Sequence, residues 1–454
     1  MTNLASIAAT LTLGIAGIAA AAGPDVRGTK TWHQPGYVLY SHNEGMAATL
    51  ARKLPRIERA LAAVLPGEPR YVGLPVHVFL MRESVWDDYV RTGFRLHGDF
   101  VGGRFINYLL IQSDKQDVPA FNALAHQYTH YFLRTHMGDG LPLWFEDGLA
   151  TMMQTAEIYE TFANFNEPRL PPGHRVIPMN SLLRIGRKSS DYALDEPARF
   201  FFQSLTLVHR GLLGDAAFRK QTLAYVADVQ GGASIDEALA KNFHMTADEL
   251  GVSMLSHSRA PVPWKHSVTY DEPPPVVLPA GEPMADIDAL QFVVRIMFDS
   301  GATHERIADA LAAAERMEPD NLRVRVLQLR LAARQNDDRR FDEIWNQIAP
   351  ATRDPALARA AGLALFERVR LTANHPTLTR DARLEVAARA FDLLMLSERA
   401  LPVDLEAAWA LGILSAQLER DPEFALARVD QALRIAPANR DLTLAKNLLE
   451  RPRK

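Results

Sequence analysis

A chain of 454 residues, 48% hydrophobic and 23% charged, is long enough for two or three domains of about 150 residues each, and its composition excludes the disordered and fibrous classes. A net charge of −4 offers no basic stripe to a nucleic-acid backbone, so no nucleic-acid partner is expected. The absence of cysteine excludes disulfides, thiolate metal ligands and a lipid-bearing lipobox, and restricts any metal site to His, Asp and Glu.

Residues 1–23, MTNLASIAATLTLGIAGIAAAAG, form an uncharged run that closes on small residues. It reads as a signal peptide over residues 1–22, cleaved after Ala22, which implies a periplasmic or secreted protein. Its start carries no Lys or Arg, and the apolar stretch is near the ~20 residues that a bilayer needs. A retained anchor is therefore the alternative, and only then is a membrane a partner.

Apolar residues at helical spacing (Met46, Leu50, Leu54, Ile57, Leu61, Val64) predict a helix from Glu44 to Leu65, stopped by Pro66-Gly67. Leu74 to Leu80 alternates with period two and is rich in β-branched residues, which predicts a strand. Phe105 to Ile111 is a second expected strand, entered through a tight turn at Gly102-Gly103. A helix is expected from Pro119 to Met137, ended by Gly138 and Gly140, and another from about Pro142, carrying Trp144, Phe145, Leu149 and Met152 inward. Residues 200–260 read as mostly helical. Pro261 to Pro283, with Pro-Pro-Pro at 273–275, reads as a linker without regular structure.

Residues 284–450 have almost no strand signal and many Ala, Leu and Arg at helical spacing. Two stretches share a theme: Ala314 precedes Pro319 and Asn321 as Ala432 precedes Pro437 and Asn439. This resembles the end of a tetratricopeptide repeat, where a small residue lets helices approach and a proline closes the pair. Ala408, Leu411 and Gly412 resemble the start of one. The resemblance implies a helical repeat domain that docks a protein partner; a plain helical bundle is the alternative.

The chemistry concentrates in Ala125-His126-Gln127-Tyr128-Thr129-His130 and in Pro142-x-Trp144-Phe145-Glu146-Asp147-Gly148-Leu149-Ala150. Residues four apart on a helix share a face, so His126 and His130 can direct their imidazoles to one metal ion. The two segments together resemble the gluzincin metallopeptidases of the peptidase MA superfamily, whose second helix reads P-x-W-x-x-E-G-x-A. That resemblance covers about Tyr37 to residue 260. It implies an α+β zincin-like metallopeptidase domain over residues 30–260, Zn2+ as cofactor and a peptide or protein as substrate. It also makes Asp147 the third metal ligand, in the place of the family's Glu.

Three departures reduce the chemistry. Asp147 shortens the ligand arm by a methylene, with Glu146 as an alternative ligand only if the helix turned by about 100°. Gln127 stands where the family has the general-base Glu, and an amide cannot take a proton from water; loss of a general base typically removes about 10²–10⁴ in rate. Phe201 stands near the family's Tyr and lacks the hydroxyl that would stabilise an oxyanion. His136 has the spacing of a third metzincin histidine, but Leu133 occupies the place of the glycine which that motif needs. His77, His97, His174, His209 and His244 read as ordinary histidines.

Two functions follow as expectations. One is a zinc metallopeptidase that hydrolyses peptide bonds; the other is a pseudopeptidase that binds peptide in its cleft and protein on its repeats. The strand Phe105–Ile111 is either an edge that aligns peptide by β-addition or a core strand.

Overall fold

The computed structural model describes residues 24–451 except 66, 68–73, 75, 87–97, 114–116, 167, 169–174, 188, 190–196, 260–264, 373–378 and 438. The expected leader at 1–22, His97 and His174 lie outside the described residues. The chain is a mixed α and β fold with a helical C-terminal region. In order it forms β1 (Lys30–Gln34), β2 (Tyr37–Ser41), α1 (Glu44–Val64), β3 (Val76–Met81), a short turn of helix α2 (Glu83–Val85), β4 (Gly98–Gly102) and β5 (Asn107–Gln112). Then come α3 (Asp117–His136), α4 (Leu143–Gln154), β6 (Glu157–Ile158), β7 (Phe162–Asn166), α5 (Met179–Arg184) and α6 (Pro197–Leu213). Next are α7 (Ala216–Gln230), α8 (Ile235–Asn242), α9 (Ala247–Ser258), β8 (Lys265–Thr269) and β9 (Glu282–Pro283). The C-terminal helices are α10 (Asp286–Ser300), α11 (His304–Met317), α12 (Leu322–Gln335), α13 (Asp338–Ile348), α14 (Pro355–Leu371), α15 (Arg380–Ala400), α16 (Leu405–Leu418), α17 (Pro422–Ile435) and α18 (Arg440–Leu449).

The main sheet has the order β4-β5-β3-β2-β1-β9. β3 runs parallel to β2 and β5, whereas β4 is antiparallel to β5. Of the two readings of the strand near Phe105–Ile111, the core one matches: β5 lies inside the sheet, and the edge is β4. Alternate residues of the central strands face opposite layers, as the period of two requires. Leu39, Val78, Leu80, Leu109 and Ile111 pack with α1 and α3. Tyr40, Phe79, Met81, Tyr108 and Leu110 pack instead with Ile287, Leu290, Val293 and Met297 of α10.

This second layer corrects the expected linker. Residues 261–283 supply β8, which pairs with β7, and β9, which pairs with β1 at the sheet edge. An edge position tolerates Pro283 because its missing N–H would face away from the sheet. The core continues from the sheet into α10–α12, so packing has no break at 283. Beyond it successive helices stack on one another. The repeated theme has a structural counterpart: Ala314 and Ala432 are buried, and Asn321 and Asn439 cap α12 and α18, each side chain accepting from two backbone N–H groups.

One buried histidine carries a pH prediction. His209 on α6 is 0% exposed, with ring centroids 5.3 Å from His266 and 5.8 Å from His257. Burial, then the neighbouring imidazoles, push its pKa down to about 3. The unfolded chain takes up this proton near pH 6.5 and the native state only near pH 3, so stability falls as pH drops through that window by up to about 1.4 kcal/mol per unit. His209→Gln should therefore lose about 2 kcal/mol less than the natural protein between pH 7 and pH 5 in urea titrations. Parallel losses in the two proteins would refute the assignment.

Candidate metal centre

The loop after α3 reverses the chain through Gly138 and Gly140, whose φ values of 86° and 87° suit a residue without a side chain. This returns α4 against α3. Helix α4 is then clamped to α6 at Gly148, where an added Cβ would lie 2.5 Å from the Ser204 carbonyl oxygen and 2.6 Å from Val208 Cγ2. Backbone cannot yield as a side-chain tip can. Gly148→Ala should cost about 1–3 kcal/mol and displace Asp147, which chemical denaturation alongside metal titration would measure; an unchanged midpoint would mean that the helices are not held there.

On this frame His126, His130 and Asp147 bring one ligand atom each to within 4.8 Å of one another. They are 4%, 6% and 2% exposed, so a charge placed among them would be poorly screened. His130 Nε2 lies 3.3 Å from His126 Nε2 and 3.6 Å from Asp147 Oδ1. The other ring nitrogens fix the tautomers. His130 Nδ1 donates to Glu146 Oε1 at 3.0 Å, and His126 Nδ1 donates to Gln154 Oε1 at 2.9 Å. Because those oxygens only accept, the protons sit on Nδ1 and both Nε2 atoms present lone pairs. Two lone pairs and a carboxylate converging in a buried space repel one another, and a cation removes that repulsion. The group could therefore hold a metal ion.

The surroundings sustain this state. Burial and the neighbouring His130 push His126 down to about 3, so it stays a neutral donor at physiological pH. Burial alone would raise the Glu146 carboxyl, but its bonds to His130 and Arg187 bring it to about 2. An ionised Glu146 then anchors His130 from behind, with Arg187 Nη2 3.0 Å away. Of the two acidic residues on α4, Asp147 joins the group and Glu146 supports it. His136 stacks on Phe132 at 3.6 Å, and its Nδ1 lies 2.9 Å from the Phe132 carbonyl oxygen; it does not join the group. Phe201 presents its ring edgewise to His126 at 6.5 Å. His77 is hydrogen-bonded to Tyr40 within the sheet layer, and His244 follows α8 at a positive φ of 53° with its Nδ1 3.1 Å from the Ala240 carbonyl oxygen.

Gln127 has a partner that sequence spacing did not reveal. Its Nε2 donates to the Gly98 carbonyl oxygen at 3.0 Å, and the side chain is 4% exposed. It belongs to a seam in which one face of α3 lies along β4. His130 stacks parallel to Phe100 with centroids 6.3 Å apart, and Arg134 Nη2 donates to the Gly103 carbonyl oxygen at 2.9 Å. A Cβ added at Gly102 would run into the Arg134 guanidinium, so helical positions 127, 130 and 134 meet strand positions 98, 100 and 102. The glycines at 98 and 102 were the available signal, since residues without a side chain let a helix approach a strand. Comparison with known proteins adds no relative: no family model, no curated protein and no solved structure matches this chain.

Proposed function

We propose that the chain is a zinc-binding pseudopeptidase, which holds an ion in a buried His126–His130–Asp147 group and binds extended peptide along β4, the terminal strand of the sheet among the described residues. The observation that carries this reading is the bond from Gln127 to Gly98. The side chain in the general-base position is an amide whose N–H ties down the edge strand, so it serves architecture rather than proton transfer. Two imidazoles and one carboxylate suit zinc among the common ions. When bound, such an ion can polarise a carbonyl and acidify a water. The chain's own part is to orient the imidazoles through Glu146 and Gln154 and to exclude water with Phe100 and Phe201.

A second reading, peptide-bond hydrolysis, is favoured by one feature: three protein ligands rather than four leave a coordination place for substrate, as in catalytic zinc sites. Plasma mass spectrometry on the purified natural protein and on His126→Ala, together with a chelator-controlled protease assay, separates the outcomes. One zinc per natural chain, none in the variant and no hydrolysis is the expected result. Robust hydrolysis abolished by chelator would replace it with the enzyme reading, and a chain that takes up no zinc would end both. We further propose export by the leader and docking of a protein partner on the C-terminal helices. Among the described residues no helix is long and apolar enough to cross a membrane.

A further inference from the structure

We propose that the cleft beside β4 ends in a carboxylate-recognising subsite whose guanidinium groups come from both parts of the chain: Arg104 and Arg134 from the sheet side, Arg440 from α18. The inference rests on the reading of β4 as a peptide-binding edge and specifies what that peptide carries.

The cleft consists of two adjoining cavities. One, of about 550 Å3, follows Asp99–Gly102 and reaches Glu146 and Arg187 at the histidine end. The other, of about 330 Å3, lies between Gly102, Asn107 and Arg134 on one side and Asn439–Asp441 on the other. Both are lined by Gly102, Arg134 and Asp139, so they meet there. The backbone beside them faces outward. Gly103 N–H donates to the Ile106 carbonyl oxygen at 2.9 Å and extends the β4–β5 ladder. Ladder bonds alternate, so Phe100 and Gly102 turn their N–H and C=O groups away from β5. These are the groups an added strand would pair with.

At the Gly102 end the C-terminal helices form the wall. Asn439 Nδ2 donates to the Arg104 carbonyl oxygen at 2.9 Å, and Arg104 Nε meets Asp441 Oδ2 at 3.0 Å. The Arg104 guanidinium is further fixed over the Trp409 ring, 4.3 Å from its centroid. Arg134 is fixed by the Gly103 carbonyl oxygen and by Asp139 at 3.5 Å. Arg440 is exposed. Against these three cations the cavity has two carboxylates, Asp139 and Asp441, which leaves one positive charge to be matched. Asn107 adds a second requirement. It is 4% exposed and its side-chain oxygen has no hydrogen-bond partner, a costly state that a peptide N–H would relieve. A ligand with a backbone N–H and a nearby carboxylate satisfies both, which describes an Asp or Glu residue or a chain's C-terminal residue.

The test is fluorescence anisotropy on the full chain with a labelled Val/Thr/Ser octapeptide, capped at both ends, in which one Glu is moved along the sequence and compared with Gln at each place. A third peptide, without Glu, has a free C-terminal carboxylate. One Glu position should bind about ten-fold tighter than its Gln counterpart, the effect of one charge-assisted contact, unless the free C-terminus provides the gain, which would assign the subsite to chain ends. Arg440→Glu, at an exposed position, should erase that ten-fold difference between the Glu and Gln peptides. Equal binding of all peptides, unaffected by Arg440→Glu, would overturn the subsite while peptide binding by the cleft stands. Binding of none would overturn the cleft and the subsite together.

Discussion

Replacing His126 with alanine should remove all zinc-dependent stabilisation of the protein, the largest effect expected of any single substitution in it. A ligand that binds only the native state stabilises it by RT ln(1 + [L]/Kd), about 4 kcal/mol when zinc is a thousand-fold above its Kd. His126 and His130 provide the two imidazole nitrogens, 3.3 Å apart, and Asp147 the only carboxylate oxygen in the group. Without His126 one imidazole and one carboxylate remain, too few to compete with water and buffer. Calorimetry with and without zinc reads this as an upward shift of the melting temperature in the natural protein and none in the variant. Glu146→Gln should behave differently. It keeps all three ligands and weakens the support behind His130, so affinity should fall about 10–100-fold with the stoichiometry retained. Equal zinc shifts in the natural protein and in His126→Ala would show that zinc binds elsewhere.

The helix that carries the histidines was legible because its evidence is local: apolar periodicity, a proline in the first turn and glycines at the end describe Asp117–His136 to within two residues. The histidine pair was legible for the same reason, since a four-residue spacing on a helix fixes where two side chains point, whereas Asp147 was named only through the resemblance of the second segment to a family motif. What could not be read depends on partners far along the chain. Gln127 meets Gly98 from 29 residues away, and nothing in the spacing of the histidine motif names that carbonyl. The edge strand was missed because Gly98–Gly102 is short and glycine-flanked, a composition that reads as turn. The hairpin β1–β2 was missed although Pro35-Gly36, with Gly36 at φ 86°, separates two alternating runs. In residues 261–283 the prolines outweighed the period of two in Lys265–Thr269, which only pairing with β7 reveals. The expected linker failed for a related reason: the hydrophobic face of α10 fits a sheet face built by residues some two hundred positions earlier, and a local reading sees an amphipathic helix without its partner.

Gln127→Glu tests the bond on which the proposed pseudopeptidase reading rests, through stability as well as activity. The amide N–H now donates to the Gly98 carbonyl oxygen in a place that is 4% exposed. An ionised glutamate there would present an acceptor to an acceptor, losing the bond and burying a charge, at a cost of about 1–3 kcal/mol. The protonated acid can donate as the amide does. Folding therefore raises the pKa of this glutamate above its unfolded value. For such a group the native state is relatively favoured below the unfolded pKa, and that advantage is lost as pH rises through the folded pKa. The variant should thus lie close to the natural protein in acid and fall behind it by the full amount at pH 8. Freed from Gly98, the carboxylate would supply a proton acceptor beside the proposed zinc site, and chelator-sensitive peptide hydrolysis should rise by about 10²–10⁴ over the natural protein in the presence of zinc. A variant as stable as the natural protein at pH 8 would show that the bond to Gly98 contributes nothing. A destabilised variant without hydrolysis would place the obstacle in the closure of the group by Phe100 and Phe201 rather than in the lost base, and the double variant Gln127→Glu, Phe201→Tyr would then be the one to assay.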